Sequence, residues 1–141
     1  MTLLNAEIRK DVKAALADLH TPVTFKVFTQ AFECQYCKET RELVQEVAEL
    51  SDKVSVEIYD FVKDKALADS LGIDKVPGMA VIGAKDYGIR MFGIPSGYEF
   101  GSLIESIKMV SSGESELAPE TKKVLAKLAK PVTIQVFGTP T

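Results

Sequence analysis

The stretch VTFKVFTQAFECQYCKETRELVQEVAEL, residues 23–50, decides the fold. Val23, Phe25, Val27 and Phe28 form a short β-branched and aromatic run, interrupted by Lys26, that predicts a strand of about six residues. A loop follows over residues 29–33. From Gln35 onward Leu43, Val44, Val47, Ala48 and Leu50 recur at helical spacing, with Lys38, Glu39, Arg41, Glu42, Glu46 and Glu49 largely on the opposite face. Between strand and helix lies Cys34-Gln35-Tyr36-Cys37, a C-x-x-C pair that opens the helix.

Working outward, residues 5–19 place Ile8, Val12, Ala15, Leu16 and Leu19 on one helical stripe, ended by His20, Thr21 and Pro22. After a turn at residues 51–53, Val54, Val56 and Ile58 alternate through residues 54–61 as a second strand. Residues 64–71 predict a short helix capped by Gly72. Residues 79–82 and 89–92 predict an antiparallel hairpin joined over 83–88. Ser96 and Glu99 have capping-box spacing ahead of a helix carrying Leu103, Ile104, Ile107 and Val110. Residues 111–118 read as a linker. The order predicts an α/β fold with a central four-stranded mixed sheet, helices on both faces and an extra N-terminal helix. The first two strands, joined through a helix, are expected to be parallel.

Composition excludes several functions. A net charge of −3 with mixed signs leaves no basic face for nucleic acid. The longest apolar runs are four or five residues, far short of the roughly 18 of a membrane span. The first ten residues lack the apolar core of a signal peptide, so a cytoplasmic protein without membrane contact is expected. Two cysteines and the single His20 fall short of a structural zinc set, so neither a metal nor a bound cofactor is expected.

The chemistry rests on the C-x-x-C pair. The first N–H groups of a helix point outward unpaired and carry partial positive charge, which stabilises a thiolate at Cys34. Cys37, one turn on, is close enough to be bridged. Lys38 adds a favourable charge and Glu33 opposes it. Two cysteines at this spacing also serve as small buried hydrophobes or as half of a metal site. The missing partner ligands and the strand-loop-helix context favour dithiol–disulfide exchange.

Residues 119–137 repeat residues 10–28 at an offset of 109, with nine identities in nineteen positions, where chance supplies about one or two. PVTFKVF returns as PVTIQVF. The chain therefore divides into a redox unit over residues 1–115 and a linker, helix and first strand of a second unit over 116–141. Thr141 falls just before the position where a matching cysteine belongs. A deliberate cut, proteolysis or disorder past that residue, and a UGA codon for selenocysteine each account for it, and the nucleotides after codon 141 decide between them. If the chain ends there, residues 132–137 are expected to dock on a strand edge, in the same molecule or in a partner, since a free apolar strand invites association.

An X-Pro bond is cis in only about 5–6% of cases, so Pro77 alone reads as a trans turn proline. Taken together, the loop-helix C-x-x-C, GIDKVPGMAVI and a glycine-bearing last strand resemble the thioredoxin and glutaredoxin superfamily over residues 20–112. FECQYCKETRELVQEVAEL, SVEIYDF and YGIRMFGIPSGYEF, with the preceding helix and second copy, more narrowly resemble the protein disulfide oxidoreductases of thermophilic archaea and bacteria. Those are glutaredoxin-like proteins built of two thioredoxin-fold units, each usually with its own C-x-x-C. The resemblance implies a thioredoxin-like fold, Cys34 as nucleophile, Cys37 as resolving thiol and Pro77 as a cis proline facing the disulfide. It also implies that Val76 presents its backbone N–H and C=O to an extended substrate segment, with Gln35 and Tyr36 lining the groove or serving only as spacers. Expected partners are disulfide-containing proteins and a thioredoxin-reductase-type flavoprotein, and the apolar strand of the C-terminal stub adds the expectation of self-association. The absent second C-x-x-C puts isomerisation and relay between units in doubt. Two other readings stand beside the general enzyme: an electron-donor module like the thioredoxin-fold part of the alkyl hydroperoxide reductase flavoprotein, and a non-catalytic interaction half.

Lys26 and Glu57 fall in predicted strands, where edge exposure or a buried proton acceptor for Cys37 both fit. His20 at a helix end needs only the dipole, and Tyr59, Phe61, Phe92 and Met79 read as core. One Asn and four Gln against 14 Lys and 12 Glu is a thermophile tendency.

Overall fold

The computed structural model describes residues 2–139. Its elements run α1 (Ala6–Ala15), β1 (Val23–Thr29), α2 (Cys37–Ala48), β2 (Val54–Asp60), α3 (Lys65–Ser70), β3 (Gly78–Ile82), β4 (Asp86–Phe92), α4 (Tyr98–Ser112) and α5 (Pro119–Leu125). The four strands form one mixed sheet in the order β2-β1-β3-β4. As expected, β1 and β2 are parallel, from Val23 opposite Val54 to Thr29 opposite Asp60. The β1–β3 and β3–β4 pairs are antiparallel.

The two-residue period of β1 and β3 sorts their side chains between two cores. Val23, Phe25 and Val27 of β1 and Met79 and Val81 of β3 join Val12 and Leu16 of α1, Leu43, Val44 and Val47 of α2, and Leu103, Ile104, Ile107 and Val110 of α4. Phe28 and Ala80 face the other way, onto Ala68 of α3 and Ile73. Helices therefore cover both faces. Of the four residues expected in the core, Met79 is fully buried, while Tyr59, Phe61 and Phe92 pack partly buried against the smaller cluster. The six-residue α3 covers only part of its face. Lys26 and Glu57 lie on the uncovered part, directly opposite in register and paired at 3.4 Å. Gly72 ends α3 with φ +70, as its capping role requires.

Four expectations need correction. Helix α2 begins at Cys37, so Cys34 precedes the helix and Cys37 is its first residue. Ser96 and Glu99 form no capping box: α4 starts after Gly97 with no side-chain cap, and the two residues meet only through Glu99 N–H on the Ser96 carbonyl. Residues 111 and 112 are helical rather than linker. Residues 132–137 form no strand and pair with none among the described residues, so the docking expected within the molecule is not made, and Ile134, Val136 and Phe137 are 84–90% exposed. Their counterparts in β1 are buried because β2 and β3 flank them. The tail has no such flanks.

Two polar residues pin this arrangement. The Ser111 hydroxyl is buried and accepts from His20 N–H at 2.9 Å and Thr21 N–H at 3.0 Å while donating to the Thr21 carbonyl at 2.8 Å. The Thr21 hydroxyl returns a bond to the Ser111 carbonyl at 2.7 Å. This clasp joins the end of α4 to the entry of β1 and holds the backbone at His20, which follows the last residue of α1, Ala15, by five positions. Glu46, expected on the polar face of α2, is instead buried: its carboxylate accepts Leu3 N–H at 2.6 Å and Leu4 N–H at 2.8 Å and lies 3.7 Å from Arg9. It straps the N-terminal segment across the helix and seats Leu4 in the main core.

Ser111→Ala removes the buried acceptor of two part-buried N–H groups and is expected to cost about 1 kcal/mol, read as a lowered urea midpoint with unchanged slope. Ser112→Ala, exposed and bonded only within its own turn, shifts it far less. Glu46→Ala is expected to abolish amide-exchange protection at Leu3 and Leu4 while leaving that of β1 in place.

Candidate redox site

The strand register collects the site at one end of the sheet. Parallel β1 and β2 both finish there, at Thr29 and Asp60, and β3 begins there with Gly78 opposite Phe28. Strand β4 returns to the same end, with Phe92 opposite Gly78. Four residues separate Thr29 from Cys34. Gln30 steadies this loop by donating its side-chain amide to the Glu33 carbonyl at 3.5 Å, and Glu33 itself adopts φ +49.

Cys34 and Cys37 are joined by a disulfide with Cα atoms 5.6 Å apart. The two sulfurs are unequal in exposure. Cys37 is buried, 4% exposed, on the inner side of α2, whereas Cys34 is partly open to solvent. Tyr36 occupies the cap position of α2 and makes no side-chain capping bond. The helix start next to Cys34 thus carries no side-chain cap from Tyr36, and an uncapped helix N-terminus is a setting that favours a thiolate.

The Val76–Pro77 peptide bond is cis. The Pro77 carbonyl accepts Gly93 N–H at 2.9 Å, tying the loop to the end of β4. Val76 makes no backbone hydrogen bond among the described residues, so its N–H and C=O remain available. Gly78 follows because nothing larger fits: a Cβ there would lie 2.7 Å from the Lys75 carbonyl and 2.8 Å from Ile73.

An open cleft of about 420 Å³ leads to the disulfide, lined by both cysteines, Gln30, Lys38, Arg41 and Asp60 among others. Gln35, Tyr36, Val76 and Pro77 are not part of its lining. Gln35 and Tyr36 are exposed, Tyr36 by 46%, and Phe32 beside them is 59% exposed. Arg41 was not singled out from the sequence, although its position four residues after Cys37 places it on the same side of α2. Asp60 Oδ1 accepts Lys63 and Val62 N–H, both at 2.9 Å, and these bonds hold its carboxyl below the usual range.

Glu57 does not serve the dithiol as a buried acid. The Tyr59 hydroxyl donates to it at 2.6 Å, and that bond, with Lys26 assisting, holds its carboxyl below the ordinary value while raising the Tyr59 hydroxyl. The ring of Tyr59, itself in the cleft lining, stacks on Phe28 with centroids 5.2 Å apart.

Residues 23–105 match the family model described as Thioredoxin domain. A probable thioredoxin of Methanothermobacter thermautotrophicus is 36% identical over 86 residues, 60% of this chain and 92% of that one. Among solved structures, a protein disulfide oxidoreductase from Aeropyrum pernix is similar with a TM-score of 0.78 and 27% identity, over 90% of this chain and 57% of that one. The NTD_N/C domain of alkylhydroperoxide reductase AhpF from Enterococcus faecalis is similar with a TM-score of 0.81 and 27% identity, over 90% of this chain and 62% of that one. The chain thus spans less than two thirds of either structure. With its four-stranded mixed sheet, its cis proline ahead of β3 and a disulfide at the head of α2, the chain belongs to the thioredoxin domain family.

Proposed function

We propose that the chain is a thiol-disulfide oxidoreductase of protein disulfides, working through Cys34 and Cys37. The observation that carries this reading is the unequal pair: a partly exposed sulfur ahead of an uncapped helix start, bridged to a buried one. In the reduced protein the Cys34 thiolate attacks one sulfur of the substrate disulfide, which breaks and releases a first thiolate. Cys37 then loses its proton and attacks Cys34, forming the Cys34–Cys37 disulfide and freeing the second substrate thiolate. Two electrons pass from the dithiol to the substrate, and the reverse sequence oxidises a dithiol.

Pro77 is assigned to the wall facing the disulfide, and Val76 to pairing with an extended substrate segment through its N–H and C=O. Gln35 and Tyr36 are assigned to the contact surface. A cytoplasmic setting, where dithiols are kept reduced, suits this direction, with a thioredoxin-reductase-type flavoprotein restoring the dithiol. Residues 116–141 are read as the start of a second unit. Glutaredoxin-like specificity is part of the same proposal.

The similarity to the AhpF domain favours a second reading, an electron-donor module serving one dedicated flavoprotein partner. Insulin reduction separates the two. Turnover of insulin and of unrelated disulfide proteins is expected for the general enzyme, and silence toward all of them for a dedicated donor. Among the described residues no helix is long and apolar enough to cross a membrane.

Cys34→Ser is expected to abolish insulin reduction. Cys37→Ser is expected to accumulate mixed disulfides through Cys34, seen as a mass gain that dithiothreitol removes. Full activity in Cys34→Ser overturns the assignment and returns the pair to a structural role.

A further inference from the structure

Cys37, Lys38 and Arg41 fall at positions i, i+1 and i+4 of α2, and the cleft that reaches both sulfurs takes in both cations. Arg41 makes no ion pair or hydrogen bond among the described residues, and Lys38 meets only Glu42, at 4.0 Å. Both are exposed, so neither is held in place by the fold. The carboxylate in the cleft lining is Asp60, already engaged by the N–H groups of Val62 and Lys63. A guanidinium left unpaired beside a reactive disulfide matches a carboxylate in geometry as well as charge.

We propose that Lys38 and Arg41 make this site selective for protein disulfides carrying an Asp or Glu side chain close to the attacked cysteine, on the β2 side of the dithiol. The inference rests on the oxidoreductase reading above. A polypeptide is the occupant because the unpaired backbone of Val76 and the exposed rings of Phe32 and Tyr36 offer contacts beyond the cleft that a small disulfide does not fill. Charges at an open rim act mainly on encounter, so the preference belongs in kcat/KM and weakens as salt is added.

The test uses the full chain and two disulfide-bonded peptides differing only in Glu or Lys two residues from the cysteine. At low salt the Glu peptide is expected to be favoured about three- to tenfold, the range that one or two exposed charge pairs supply. Arg41→Gln narrows that ratio, and Arg41→Glu reverses it toward the Lys peptide, a gain that misfolding does not produce. Because both peptides share one dithiol, a change in its reactivity alters both rates and leaves the ratio alone. Equal rates for the two peptides, or a ratio unmoved by Arg41→Glu, overturns the selectivity and leaves the oxidoreductase reading standing. So does an Arg41→Glu effect confined to a small anionic disulfide. Failure of the unaltered chain on both peptides and on insulin instead brings down that reading, and the selectivity with it.

Discussion

Strand β1 is hydrogen-bonded along both edges, covered on one face and over part of the other, and the redox end of the molecule hangs from its register. Phe25, Val27 and Phe28 are fully buried, with Phe25 and Val27 facing α1, α2 and α4 and Phe28 facing α3. Slipping the strand by one residue exchanges these faces and forces each side chain into a cavity shaped for another. The same register fixes Thr29 beside Asp60 and Phe28 beside Gly78. The short loop to Cys34 and the cis proline ahead of β3 therefore start from one place. The dithiol is positioned by the sheet and presented by the helix.

Helix α2 supplies the second constraint. Leu43, Val44 and Val47 seat it on the sheet, and the same inward side carries Cys37 at its first turn. Cys34, two residues before the cap, escapes that burial. The inequality of the two sulfurs, on which directional exchange depends, thus follows from where the apolar stripe of α2 ends relative to its first helical residue. The buried Glu46 carboxylate adds a tether from the far end of the helix to the N-terminal segment.

Much of this was legible in the chain. Helical and strand periods identified the elements that carry the site, because those periods are what burial against a sheet demands. Periodicity records which face is apolar, yet it does not say which polar group becomes an acceptor for a distant backbone. Ser111 looked like linker and Glu46 like surface for that reason. Ser96 and Glu99 had the spacing of a capping box, but the chain enters α4 through Gly97 with φ +61, and the cap does not form. PVTFKVF and PVTIQVF differ at two positions, and one is the central strand while the other forms no strand and is exposed. A strand is a property of its neighbours as much as of its residues. Arg41 was missed because a charge in a helical run reads as solvated face until a reactive group is placed four residues before it.

The resolving step raises the question of where the Cys37 proton goes. Glu57 is tied to Tyr59 and Lys26 on the uncovered part of the sheet, and Tyr59, in the cleft lining, stacks on Phe28. Asp60 does line the cleft, but backbone donors hold its carboxyl below the usual range, which makes it a weaker base than an ordinary aspartate. Neither carboxylate is tuned to take a proton from a thiol. In the proposed exchange the Cys37 proton is left to water and to the departing substrate thiolate, reached through the cleft that both cysteines line. That route works only while the cleft is accessible. The opening that admits a substrate side chain beside the disulfide thus also serves the proton that must leave before Cys37 can attack.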